Sequence, residues 1–414
     1  MDALEVVEAV ARDSYGRLVA YLSARSRDVT GAEDALSDAL HAALTTWPRD
    51  GVPFKPEAWL LATARNKLAD VSRKSQVREC AIPIVQQLME DATTGEAGES
   101  FPDERLKLLF ICAHPAIDAA ARTPLMLQTV LGLDAARIAS AFLMAPAAMS
   151  QRLVRAKSKI RLAGIPFELP DAAELPARLD AVLDAIYAAY GTGWEDAAGS
   201  DPLLRNLTGE AIWLARVIVQ LLPGEAEAHG LLSLMLHCEA RRAARRSGAG
   251  DYVPLSDQDP ALWCRPMIKE AESELAAAAS LERRGRFQLE AAIQSVHSHR
   301  LVTGRTEWRA IVRLYDELIR MAPTLGACVS RAAAIAEAGE PLEALAALDV
   351  IPPAAVASYQ SYWAVRAHVL ALSGRQKEAG GCYFRAIGLS EDEAVRRFLL
   401  RRSRPSESFA ESAE

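Results

Sequence analysis

Apolar residues in this chain recur at the spacing of a helix, and alanine leads among them. Alanine loses no side-chain entropy on entering a helix, so the pattern predicts packed helices rather than sheets. From Asp28 to Trp47, residues Ala32, Leu36, Ala39, Leu40, Ala43 and Leu44 fall on one helical stripe. Glu33, Asp34 and Asp38 fall on the opposite face. Aromatic residues are only 6% of the 414, which agrees with an all-α fold.

Breaks in the pattern divide the chain. Residues 1–80 read as a helical first domain, with a loop PRDGVPFKP after Trp47 and a helix beginning near Glu57. Residues 81–104 hold six acids, no Lys or Arg, and a Gly/Ser/Thr cluster, which predicts a flexible acidic linker. Residues 105–165 are helical again. Asp134 is a good cap for a short helix, Pro146 suits the first turn of the next, and Gly164 stops it. Residues 170–404 form a helical extension with a weak repeat near 290–390. Ala310, Ala344 and Ala379 stand 34 and 35 residues apart, followed at four by Leu314, Leu348 and Tyr383. Gly339 and Gly374 precede the last two alanines by five, and Trp363, Ala367 and Ala386 complete the tetratricopeptide spacings.

No apolar run reaches 18 residues, so no membrane span is expected. The acidic N-terminus lacks the pattern of a signal peptide. Six cysteines without CxxC spacing read as reduced cytoplasmic thiols. Neither His297 with His299, nor His237-Cys238, nor Cys112 with His114 makes a four-ligand set, so no metal is expected. No phosphate-loop or nucleophile-elbow motif occurs, so no cofactor and no enzyme activity are expected.

The net charge of −7 hides two basic helices. In 58–78, Arg65, Lys67, Arg73, Lys74 and Arg78 face the single acid Asp70, a local +4. In 150–162, Arg152, Arg155, Lys157, Lys159 and Arg161 face no acid, a local +5. Two such helices could neutralise phosphates at two DNA positions; the plainer reading is two solvated faces. The second helix closes a helix-turn-helix pattern, with Ile138, Phe142, Met149, Leu153 and Ile160 inward. Ser150, Gln151, Arg152, Arg155 and Lys159 would face outward. Arg and Gln can bond base edges, and Ser and Lys suit phosphates. Arg241, Arg242, Arg245 and Arg246 read as a salt-bridged helix end or as a contact to another surface.

These segments resemble one family. GAEDALSDALHAALTTWP is similar to sigma region 2.1–2.2, and AWLLATARNKLADVSRK to regions 2.3–2.4. DERLKLLFICAHPAI resembles region 4.1, and LDAARIASAFLMAPAAMSQRLVRAKSKIRLAGI resembles region 4.2. LLSLMLHCEARRAARRSG and LSDQDPALW resemble the extension of one subgroup. The chain thus looks like a bacterial extracytoplasmic-function RNA polymerase sigma factor with a C-terminal tetratricopeptide-like extension. The resemblance implies a region 2 bundle, a region 4 helix-turn-helix and a helical repeat domain.

It also implies partners: RNA polymerase core, through the β′ clamp helices and the β flap, and promoter DNA. Asp28, Glu33, Asp34 and Asp38 would bind polymerase. Lys55, Arg65, Asn66, Lys67, Arg73 and Lys74 would serve the −10 element, and the outward set on 150–159 the −35 element. Trp59 would pack inward rather than act as a melting wedge, and Asp70 is spaced to pair with Arg73 or Lys74. Ala145, where Ser or Thr caps better, and apolar Ala147, Ala148 and Met149 depart from the family's recognition helix. The extension would contact the sigma regions and control them. The alternatives from the residues alone are a stand-alone helix-turn-helix regulator with a repeat-type sensor, or a repeat scaffold that binds no DNA.

Overall fold

The computed structural model describes residues 3–76, 104–130, 132–142, 144–171, 173–195 and 202–403. Among them the regular elements are all helices, as expected from the alanine-rich period. Contacts divide the chain into two units. One comprises Met1–Asp196 with Asp201–Val217, and the other Ala197–Ser200 with Ile218–Glu414. The acidic segment 81–103 lies outside the described residues.

The first unit opens with a three-helix bundle of α1 (Ala3–Ser26), α2 (Val29–Asp50) and α3 (Pro56–Gln76). Leu18, Leu22, Leu36, Trp47 and Leu60 are buried in it. Ser14 and Arg17 of α1 both donate to the Glu57 carboxylate, Arg17 at 2.7 Å, which fixes the start of α3. Helix α2 runs on through Pro48, where the sequence placed a loop. A proline in the last turn forfeits one intrahelical bond, and Gly51 closes the helix by donating to the Trp47 carbonyl at 3.0 Å. Leu44, expected on the buried stripe, is 40% exposed. Ala35 and Trp47 take the inward positions instead, because the stripe drifts around a helix of six turns.

Next comes α4 (Arg105–Cys112), buried on every side. It packs against α1, α5 (Ala119–Thr129) and α8 (Leu175–Glu195). Asp118 caps α5 through the Ala120 N–H at 2.9 Å. Asp134 caps α6 (Ala135–Ala141), accepting from the Ala136 and Arg137 N–H groups at 2.9 Å. Pro146 opens α7 (Pro146–Leu162), and Ala145 supplies no side-chain cap, as the sequence indicated. The expected inner face is buried at Ile138, Met149, Leu153 and Ile160, with Phe142 half-buried. Helix α8 and most of α9 (Pro202–Leu221) belong to this unit, although their sequence lies within the stretch read as extension.

The second unit begins around α10 (Ala226–Glu239), which is buried nearly all round by α11 (Arg265–Ser280) and α12 (Arg286–Ser298). The Glu227 carboxylate accepts from the Phe287 and Gln288 N–H groups at 2.9 and 3.0 Å, satisfying the exposed amides at the start of α12. A short α13 (Arg300–Thr303) leads into α14 (Trp308–Met321), α15 (Leu325–Glu337), α16 (Pro341–Asp349), α17 (Pro353–Val356), α18 (Gln360–Leu372), α19 (Gln376–Leu389) and α20 (Glu393–Ser403). Ala344, Leu348, Ala379 and Tyr383 are buried between neighbouring helices, whereas Ala310 and Leu314 are half-buried, with Ile311 and Leu318 buried in their place. Gly339 and Gly374 follow α15 and α18 in left-handed conformation, φ +93° and +76°.

The arginine cluster is tied down inside this unit. Arg242 bonds Glu239 at 2.7 Å, Arg241 donates to Gln294 at 2.5 Å, and Arg246 pairs with Asp392. That agrees with the salt-bridged reading. Helix α20 is held against residues 246–257 by further pairs, Arg397 and Arg401 with Asp251 and Arg402 with Asp257, and by a Tyr252–Phe398 edge contact.

Candidate nucleic-acid interface

On α7 the buried stripe of Met149, Leu153, Ala156 and Ile160 fixes which side chains face out. Ser150, Gln151, Arg155 and Lys159 are exposed. Arg152 is half-buried and leans on the Ala120 carbonyl at 3.4 Å. Gln151, Arg152, Arg155 and Lys159 line one cleft of about 560 Å³, with Ile117, Asp118 and Ala121 opposite; Ser150 lies outside it. Four of the five expected −35 residues, Gln151, Arg152, Arg155 and Lys159, are therefore brought together on one side of α7, and Ser150 is not among them.

The expected −10 set sits on α3 and the loop before it. Lys55, Asn66 and Lys67 are exposed, and Arg65 is half-buried. Arg73 and Lys74 lie on α3, and their side chains are outside those described. Trp59 packs edge-on against Trp47, centroids 5.5 Å apart, so it serves the core as the sequence indicated. Sequence reasoning missed Phe54. It is 97% exposed on the loop between α2 and α3, with Val52 38% exposed beside it. A single aromatic among prolines reads as core by default, and only its place ahead of a basic helix hinted otherwise.

The acidic set splits. Asp34 and Asp38 are exposed on α2. Asp38 stands 3.6 Å from Lys67, both more than half exposed, a solvated pair that contributes little. Glu33 turns the other way. Its side chain is 13% exposed and pairs at 2.5 Å with Lys157 of α7, itself 11% exposed. Burial holds the Glu33 carboxyl above its usual range, against the pull of Lys157. Asp28 is half-buried, 3.9 Å from Arg161. The two basic helices, read from sequence as parts of separate modules, thus belong to one packed unit. Lys157 and Arg161 lie on the opposite flank of the buried stripe of α7 from Gln151, Arg152, Arg155 and Lys159, a division that the net charge of the helix does not show.

Among the described residues no cluster of His, Cys, Asp and Glu could hold a metal ion, and no helix is long and apolar enough to cross a membrane.

An all-helical chain with an acidic second helix and a basic third invites comparison with transcription factors, and the comparison is direct. Residues 10–78 match the family model described as Sigma-70 region 2. Residues 178–279, from α8 to α11, match a model described as Family of unknown function (DUF6596). Over 380 residues the chain is 37% identical to uncharacterized protein R00370 of Rhizobium meliloti (strain 1021), covering 90% of this chain and 89% of that one. The two belong to one family across most of their length. No solved structure matches.

Proposed function

We propose that the chain is a sigma factor of the extracytoplasmic-function type that directs RNA polymerase core to promoters under the control of its own C-terminal repeat extension. The match to Sigma-70 region 2, across the helices that hold the acidic and the first basic set, carries this reading. Asp28, Glu33, Asp34 and Asp38 meet the β′ clamp helices. The loop before α3, with Phe54 and Lys55, and the basic face of α3 with Arg65, Asn66, Lys67, Arg73 and Lys74 take the −10 element. An exposed ring beside cations suits an unstacked base, since stacking on an aromatic side chain tolerates any base. Helices α6 and α7 form the helix-turn-helix of region 4, whose Ser150, Gln151, Arg152, Arg155 and Lys159 take the −35 element.

The opening test is run-off transcription by core enzyme, with and without the chain, from a genomic template library. Promoter-dependent transcripts that need the chain are the expected result. Arg152→Ala with Arg155→Ala is then expected to abolish promoter-specific binding by holoenzyme and to leave core binding intact, because those groups face DNA and not α2. Equal loss of core binding would overturn this division of labour. Duplex binding by the chain without polymerase would favour a stand-alone regulator instead, and no binding to either would leave a scaffold.

A further inference from the structure

We propose that the second unit holds a small monovalent anion, chloride in size, between Arg241, Arg300 and the Trp263 indole. The site lies apart from the residues assigned to polymerase and DNA, so it stands or falls independently of the sigma-factor reading.

The first observation is a charge without a counter-charge. In the cluster 241–246, Arg242 meets Glu239 and Arg246 meets Asp392. Arg241 differs. It is 5% exposed, and its partners are neutral: the His237 carbonyl at 3.2 Å, the Gln294 amide oxygen, and the Cys238 sulfur at 3.9 Å. Arg300, at the start of α13, is half-buried and donates to two backbone carbonyls, Ser256 at 2.8 Å and Gln258 at 2.6 Å. The nearby acid Asp257 is paired with Arg402. Both guanidinium carbons stand near one ring, at 6.0 Å for Arg241 and 5.0 Å for Arg300 from the Trp263 centroid. Burial and the charge of Arg241 together hold Arg300 below its usual range. A buried cation is costly unless an opposite charge answers it, and a ring answers it only in part.

The second observation is a set of donors without acceptors. Arg241 Nη1, Arg300 Nε and Trp263 Nε1 are each enclosed by protein, and none has a hydrogen-bond partner among the described residues. Buried N–H groups left in this way are rare, so three around one indole call for an acceptor. One buried acceptor of the same loop, Gln258 Oε1, also lacks a partner. A single water could join it to one donor. That would leave the other donors and the positive charge unanswered. An anion accepts from all three and supplies the charge. With hydrogen bonds of ~3 Å on either side, one ion bridges groups ~6 Å apart, the spacing found around this ring. Trp263 is 3% exposed, and enclosure this complete favours a single atom over a tetrahedral oxyanion.

The ion would sit where two stretches set apart in the sequence meet. LLSLMLHCEARRAARRSG supplies Arg241, and LSDQDPALW supplies Gln258 and Trp263. The Cys264 N–H joins them by donating to the Ala240 carbonyl at 2.8 Å. Bound there, the anion ties the end of α10 to the following loop and to α13.

The test is thermal melting of the full chain at about pH 8, where histidine is neutral, with chloride replacing gluconate at constant ionic strength. Wild type is expected to gain about 5 °C, saturating with chloride. Arg241→Gln removes the charge and is expected to lose that gain. Trp263→Phe keeps a ring and removes only the N–H, and should need roughly tenfold more chloride. Broadening of the chloride NMR line by wild type, reversed by bromide, reads the site directly; with Trp263→Phe it decides the matter if Arg241→Gln does not fold. Equal melting in the two salts, an equal gain with sulfate, or a gain unchanged in both variants overturns the site.

Discussion

His237 shows how a single buried group couples this chain to pH. Its ring is fully enclosed in α10, with Nδ1 3.0 Å from the Ser298 hydroxyl. Burial, with Arg241 adding to it, lowers its pKa to about 3. The Glu272 carboxylate lies 3.6 Å from Nε2 but is 40% exposed and accepts from Ser295, so it does not offset the burial. A depressed pKa contributes stability that is complete above the unfolded value of about 6.5 and is lost as pH falls toward 3. At pH 5 the loss is about 2 kcal/mol for this one histidine; His297, also lowered to about 3 by burial, acts in the same direction. Melting temperature should therefore fall between pH 7 and pH 5, and His237→Asn, which cannot titrate, should flatten that slope; an unchanged slope would rule the assignment out. At the other extreme of exposure, Phe54 touches little in the protein. Phe54→Ala is expected to leave the melting temperature unchanged and to weaken holoenzyme binding to a single-stranded −10 oligonucleotide by ~1–3 kcal/mol, one base stack. A destabilised fold would mean the ring packs after all.

At the scale of the element, two glycines of the C-terminal helices make opposite predictions. Gly374 stops α18 with φ +76°, and nothing lies within 4 Å of the Cβ position. Gly374→Ala should cost ~1–2 kcal/mol from backbone conformation alone. Gly381 lies inside α19 with the same open space. Gly381→Ala should add ~1 kcal/mol, because an exposed helix interior prefers alanine. Paired melting curves check both signs. Asp134 before α6, Pro146 at the start of α7 and Gly164 just past its end were legible from sequence, because capping and stopping act within a turn or two. The inward stripe of α7 was legible for the same reason: period 3.6 is a local property. What sequence hides is the identity of the neighbour. Leu44 has the right residue type and spacing for burial, yet the stripe drifts far enough along α2 that Trp47 is buried instead. Lys157 is one cation among five on its helix, and its partner is 124 residues away. Nothing in the pattern of either helix separates a buried ion pair from two solvated faces.

For the molecule as a whole, the same limit governs where the first unit ends. Sequence placed a boundary near residue 170, after the last helix resembling a sigma region. The contacts place it inside α9, at Val217 and Ile218. Leu179, Val182, Leu183, Ile186 and Tyr190 of α8 are each buried, and α8 packs against α5 and α4. Arg105 of α4 also stacks 3.6 Å over the Trp213 ring of α9. Periodicity reported that α8 has an apolar face, but a covered face looks alike whichever module covers it. Burying five large apolar side chains contributes on the order of 10 kcal/mol, comparable with the entire stability of a typical domain. A chain ending at residue 170 should then expose α4 and α5, melt well below a chain ending at residue 221, and self-associate through the bared face. Thermal melting and light scattering on the two truncations decide it. If the shorter chain were equally stable and monomeric, α8 would be an appendage of the first unit rather than part of its core, and the sigma-like helices would end where their sequence resemblance ends.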